Sequence, residues 1–416
     1  MSERDLEATL RRITETKVNR RGFLAAAGLT TTTAFLAACA SGGSASSAPE
    51  STAPTAAPAT AAPSAAAPSA AASAAASGEP SIAAYEHTGV EPELLMYNWS
   101  NYISDANIEA FKAEYGLTKF QYDIYANNEE LLAKLQGGAS GYDIAAPTAE
   151  YVPGMVESGF LQKLDLSKIP NVGYIADTFK NLWWDPTNEY QVPKDYGTTG
   201  VLYRSTMIPS VPASWKDFYD LVKGPASGKT IFVDSMGDVF VFPLKMLGYS
   251  LNSVDQAQLE EARKILLDVA PHLLALDSDK YGQKMADGEA ALTLGWTGPL
   301  GQELKDTKDK GYVNPSEGTL FWLDTWVMMA EAPHPNGSYA WLDFIHRPKI
   351  QGEESNFNFY ATPDEAAKPY VSPDLLKDPA IFPPEDVISK LEPAQDTSGN
   401  NQRIDIWEEF KSKIGS

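Results

Sequence analysis

Cysteine is almost missing from this 416-residue chain: Cys39 stands alone, so no intramolecular disulfide can form. Histidine is scarce as well. His87, His272, His334 and His346 are scattered without HExxH-like spacing, and no cysteine accompanies them, so a metal site is not implied. Positive charge is in deficit, with 33 Lys and Arg against 55 Asp and Glu and a net charge of −22. A nucleic-acid binder must neutralise phosphates with Lys and Arg, so that class is excluded. Apolar runs are short. The uncharged stretch from Gly22 to Ala38 falls below the ~20 residues that a membrane span needs. There is no Gly-x-Ser-x-Gly nucleophile elbow, and no cofactor is implied.

What is present begins with the surroundings of Cys39. Asn19-Arg20-Arg21-Gly22-Phe23-Leu24 precedes the uncharged stretch, which ends at Leu36-Ala37-Ala38-Cys39. This resembles a twin-arginine export signal closed by a lipobox, residues 1–39 being the signal and Cys39 the lipid-bearing residue. Loss of that segment removes six basic and four acidic residues from the totals of 33 and 55. The remainder is 27 against 51, a net of −24.

Residues 40–80 are a tether. From 40 to 78 the chain is almost wholly Ala, Ser, Pro, Thr and Gly, with prolines at 49, 54, 58, 63 and 68 breaking each alanine run. Without large apolar residues no core can form there. At ~3.1 Å per residue a fully extended tether reaches about 100 Å from a membrane.

The body, from about residue 80 to 416, is long enough for two domains. Leu94 to Asn98 reads as a strand. Ser104 caps a helix bearing Ile108, Phe111 and Tyr115, stopped by Gly116. Phe120 to Ile124 reads as the next strand, and Asn128 opens a helix through Leu131, Leu132 and Leu135. Tyr142 to Ala146 follows as a strand ended by Pro147. The alternation returns as Thr230 to Val233, helices near Val239 to Leu247 and Gln256 to Val269, then Ala291 to Leu294. Such alternation predicts an α/β fold of two lobes, each a mostly parallel sheet flanked by helices.

Ligands of open α/β sheets bind beyond the carboxyl ends of the strands. Those ends carry aromatic and acidic residues repeatedly: Trp99, Ser100, Asn101 and Tyr102 after the first strand, and Thr148 and Glu150 after the third. Asp234, Ser235 and Asp238 follow Val233, Trp296 follows Leu294, and Trp322, Asp324 and Tyr360 stand further on. Indole faces and carboxylates together suit an organic cation, worth ~0.5–2 kcal/mol for an ammonium over a ring. Carboxylates at the ends of an aromatic slot suit a diamine or polyamine. Any single Trp here is otherwise ordinary core, and repetition at strand ends is what favours a site.

These residues resemble the polyamine-binding proteins of bacterial spermidine/putrescine ABC importers. The likeness runs from about Leu94 to the C-terminus. It rests on Tyr97-Asn98-Trp99 with Tyr102, Tyr142-Asp143-Ile144 with Pro147, and Lys245-Met246-Leu247-Gly248-Tyr249-Ser250. Gly318 to Asp324 and Tyr360-Ala361-Thr362-Pro363 complete the set.

The resemblance implies a periplasmic-binding-protein fold of the second type. Residues 90–198 plus 321–362 form one lobe and 199–320 plus 363–416 the other. The chain crosses near Tyr196 to Gly200, Leu320 to Asp324 and Tyr360 to Pro363. It implies a polyamine ligand and ABC permease subunits as partners. A monomer suits open-and-close movement of the lobes, and the export signal and lipobox place the protein lipid-anchored outside the cytoplasm. Carried over by position, Trp99, Tyr102, Trp296, Trp322 and Tyr360 form an aromatic slot. Asp324 is the principal amine-binding carboxylate, Asp238 a second, and Gln395 a late polar contact. Asn101 and Ser235 stand where the family places acids, and Glu150 where it places a tyrosine. Asp234 and Glu150 are therefore candidate substitutes.

Two motifs are set aside. Gly224-Pro225-Ala226-Ser227-Gly228-Lys229-Thr230 is one residue short of a P-loop and leads into a strand rather than a helix. Asp277-Ser278-Asp279 lacks the later ligands of a calcium loop, with Tyr281 and Gly288 where they belong. Trp183-Trp184-Asp185-Pro186 reads as structural packing. A sugar or polyol binder, a glycosidase using Asp238 with Asp324, and a ligand-free adhesin remain as alternatives.

Overall fold

The computed structural model describes residues 82–415. The arginine pair, Cys39 and the tether lie outside the described residues, as does Ser416. Among the described residues, eleven strands follow in chain order: β1 (Glu93–Trp99), β2 (Lys119–Tyr125), β3 (Ile144–Ala145), β4 (Gln191–Thr198), β5 (Gly200–Arg204) and β6 (Thr230–Phe232) come first. β7 (Leu273–Leu276), β8 (Leu292–Gly295), β9 (Lys310–Val313), β10 (Leu320–Met328) and β11 (Glu392–Pro393) complete them.

They form two sheets. The first runs β11-β10-β3-β1-β2, with β4 also paired to β10, and the second runs β7-β6-β8-β5-β9. The expected parallel pairings are there: β1 with β2 and β3, β10 with β11, and β6 with β7 and β8. Antiparallel pairings enter through the strands next to the crossings, β4 with β10 and β5 with β8 and β9.

The helices form where the apolar spacing places them. Asp105–Tyr115 buries Phe111 and stops at Gly116, whose φ of 72° is the left-handed conformation that glycine adopts without strain. Ser104 precedes it but makes no side-chain cap bond. Asn128–Gln136 buries Leu131 and Leu135, and its cap is Asn127, whose side chain accepts from the Glu130 N–H. Leu132 packs only partly buried.

The chain passes between sheets with little slack. β4 ends at Thr198 and β5 begins at Gly200, so the buried Thr199 alone joins the two sheets. The return runs from β9, in the second sheet, to β10 in the first. Residues 363–393, assigned to the second lobe by sequence, pack with the first instead. Val371, Leu375, Ile381, Ile388 and Leu391 join its core, and β11 pairs with β10 at Leu320 and Phe321. The last passage therefore follows β11 rather than Tyr360. The helix Asn401–Ser412 then packs Ile406, Trp407 and Phe410 into the second lobe's core. Buried Arg403 fastens it, donating to the carbonyls of Leu251 (2.6 Å) and Ser253 (2.8 Å).

Candidate functional site

The strand ends of both sheets converge on one cavity of about 290 Å³. From the first lobe come Trp99 at the end of β1 and Ser100, Asn101 and Tyr102 after it, Tyr125 at the end of β2, and Thr148 and Glu150 beyond β3. From the second come Ser235 and Asp238 beyond β6, and Trp296 beyond β8. Trp322 and Asp324 project from β10, and Tyr360 follows the helix Pro348–Asn358. Twelve of the fourteen side chains singled out by sequence thus line a single space.

The other two do not line it. Asp234 lies beyond the end of β6, where its carbonyl accepts from Asn127 Nδ2 at 2.7 Å and its N–H donates to Ser278 Oγ at 2.9 Å. Gln395 is exposed to solvent along a segment whose N–H donates to Asn252 Oδ1, while its neighbour Ala394 reaches the cavity.

The aromatic rings fall into two groups. Trp99 meets Trp296 edge-on, with centroids 5.8 Å apart, and lies 4.7 Å from Tyr125. Tyr360 meets Trp322 at 4.9 Å and Tyr102 at 5.8 Å, both edge-on. Two glycines make room for the second group. A Cβ at Gly197 would fall 2.4 Å from the Trp322 ring, and one at Gly298 would fall 2.6 Å from Tyr360.

Each group has its carboxylate. Asp238, in the first turn of the helix Met236–Met246, accepts from Trp296 Nε1 at 3.0 Å, from Ser235 Oγ at 2.6 Å and from the Thr199 hydroxyl. Burial pushes its carboxyl up, against the pull of those donors. Asp324 lies under the Tyr102 hydroxyl at 2.5 Å. Burial, then the neighbouring Asp195, raise its carboxyl to about 7, opposed by Tyr102 and Thr148.

Among the described residues, two further acids have no cationic partner. Glu150 faces the cavity, and its carboxyl is pushed well up by burial and by Asp324, Asp238 and Asp396. Glu129, which sequence reading did not single out, is buried with neither carboxylate oxygen hydrogen-bonded among the described residues. Burial raises it to about 7. Glu129 does not line the cavity, but Glu150, Asp238 and Asp324 do, and a bound cation would stabilise their ionised forms.

Hydrogen bonds also join the lobes at the cavity rim. Ser100 Oγ donates to Asp279, and Gln302 Nε2 donates to the Asn101 carbonyl at 2.9 Å. Asn101 holds φ at 51°, a conformation asparagine tolerates better than most residues. Asp279 was named only in the set-aside calcium-loop motif and follows β7, a strand not read from the sequence, while Gln302 lies inside the helix Thr297–Glu303. Among the described residues no group of three or more His, Cys, Asp or Glu is placed to hold a metal ion. Nor is any helix long and apolar enough to cross a membrane.

Known proteins share this architecture. The spermidine/putrescine-binding periplasmic protein of Salmonella typhimurium is 31% identical over 330 residues, 79% of this chain and 93% of that protein. The solved PotD, the spermidine/putrescine ABC transporter substrate-binding protein of Streptococcus pneumoniae, superimposes with a TM-score of 0.64 at 29% identity. It covers 78% of this chain and 99% of its own. The TpPotD lipoprotein of Treponema pallidum gives a TM-score of 0.67 at 26% identity over 77% of this chain and 99% of its own. With residues 106–383 also matching its model, the chain belongs to the bacterial extracellular solute-binding protein family.

Proposed function

We propose that the protein captures a polyamine, of the putrescine or spermidine class, and delivers it to the membrane subunits of an ABC importer. The observation that carries this is the pairing of each aromatic group with its own carboxylate in one cavity. Asp238 stands beside Trp99 and Trp296, and Asp324 beside Tyr102 and Tyr360. An extended diamine places an ammonium at each end, and its methylenes lie along the indole and phenol rings. Glu150 is the third acid within reach, suited to an additional amine. The polyamine ligands named for the relatives support the same class.

No bond is made or broken in this account. Binding draws the lobes together across the three crossings, and the rim contacts from Ser100 and Asn101 hold the closed form that a permease would read. Export through the arginine pair and lipid attachment at Cys39 would place a monomeric body outside the cytoplasm on its tether. The lipoprotein relative supports that anchoring.

Thermal unfolding of the full chain with putrescine, spermidine or a neutral hexose tests the class. A ligand at 100 times its Kd adds about 2.7 kcal/mol to folding stability, enough to raise Tm by several degrees. A rise with amines and none with hexose supports the proposal. A rise with hexose alone overturns it.

A further inference from the structure

Directly beneath the cavity lies an ion pair that its lining does not include. Lys194 and Asp195 are consecutive in β4, where alternation would send their side chains to opposite faces. The β4–β10 ladder slips here: Asp324 faces Asp195, but Thr325 faces Pro193, leaving Lys194 as the extra residue of a bulge. Pro193 has no N–H to give to the ladder, and suits the slip. The bulge turns the two side chains toward each other. Lys194 Nζ lies 2.5 Å from Asp195 Oδ2, with the side chains 3% and 5% exposed.

The ammonium also sits 3.3 Å from the centroid of the Tyr102 ring. Asn358 Nδ2 donates to the same Asp195 oxygen at 2.9 Å, and the Tyr102 hydroxyl reaches the other. An ammonium held by a carboxylate over an aromatic ring is the chemistry proposed for the cavity, here made from the chain itself. Taking such a pair out of water is costly, and apolar residues of similar volume are often no less stable. Stability alone does not account for it.

We propose that Asp195 is a positioning residue for amine recognition, holding the Lys194 ammonium beneath Tyr102 so that this internal cation does not occupy Asp324. The proposal rests on the amine reading of the cavity. Asp324 is the carboxylate directly across the ladder from Asp195, and the two share the Tyr102 hydroxyl. Lys194, Asp195 and ionised Asp324 together carry one net negative charge, the complement of one ammonium. Without the Asp195 charge, Lys194 becomes the counter-ion of Asp324, and the ligand must displace it.

The test is amine titration of the full chain carrying Asp195→Asn, then Asp195→Asn with Lys194→Met. The single variant should bind at least tenfold more weakly than the wild type, although Asp195 does not line the cavity. The double variant should recover to within about threefold. A merely structural role for Asp195 predicts no such rescue, so a double variant no better than the single overturns the proposal. So does a folded single variant with unchanged affinity. Should Asp195→Asn fail to fold, Lys194→Met alone decides: binding at least as tight as wild type supports the proposal, and a tenfold loss contradicts it. Wild-type protein that binds no amine refutes the cavity reading itself, before any variant is compared.

Discussion

Asp324 and Asp195 face one another across the β4–β10 ladder, and the hydroxyl of Tyr102 reaches both carboxylates. One hydroxyl carries one proton, so a proton on Asp324 lets both contacts act as full hydrogen bonds. With the Asp324 carboxyl raised to about 7, the ligand-free site below that pH holds a proton that a cation would displace.

This fixes the sign of the pH dependence. The Asp324 carboxyl, raised to about 7 by burial and by Asp195, is ionised only above that pH, and an ammonium prefers the ionised form. Amine affinity should fall as the pH drops from 8 to 6, by up to about tenfold per pH unit below 7. Titration calorimetry in buffers of different ionisation heat should show close to one proton released per ligand at pH 6, and fewer at pH 8. Proton uptake on binding would contradict the assignment.

Stability without ligand should run the other way. A carboxyl raised in the folded state contributes stability that is present below its unfolded pKa of about 4 and lost as pH rises through the folded value. Asp324, Glu129 and Glu354 are all raised to about 7. Their contribution should decline between pH 4 and pH 7, and the Tm gained on adding ligand should grow over the upper part of that interval. Thermal scans across pH, with and without amine, measure both.

Asp324→Asn should weaken amine binding at least tenfold in calorimetric titration, since the amide keeps the shape and loses the charge-assisted partner. The same substitution removes a like charge facing Asp195, so the ligand-free variant should melt no lower than wild type at pH 8. Loss of affinity with loss of fold would not match this account.

Gly298→Ala tests the placement of Tyr360. The added Cβ would lie 2.6 Å from the phenol and 2.8 Å from the Asn358 carbonyl, so the ring must move. Affinity should drop several-fold while far-UV circular dichroism stays unchanged.

Arg403→Met tests the seating of the last helix in the second lobe. Two carbonyls, of Leu251 and Ser253, lose a buried charged donor, at a cost of about 2–4 kcal/mol in denaturant unfolding.

The strand ends were legible because alternation and turn residues mark where a strand stops, and the same residues carry the unusual side chains. Trp99, Trp296 and Asp238 could be placed that way. Trp322, Asp324 and Tyr360 were carried by motif likeness, and β10 brings the first two to the same cavity. The role of Asp195 was not legible, since it depends on a register slip against a strand some 130 residues later. Asp234 was misplaced because β6 ends two residues before it and the chain presents its carbonyl, not its carboxylate, to Asn127. Residues 363–393 form only short elements, such as the helices Glu365–Tyr370 and Pro373–Leu376 and the two-residue β11, too brief for a periodic signal to show which core they join.

The most direct measurement is calorimetric titration of the full chain with putrescine, spermidine and a neutral sugar. Saturable binding of an amine at micromolar or lower concentration, with no heat from the sugar, is the predicted result. Heat from the sugar alone would mean that the cavity was located correctly and that its chemistry was misjudged.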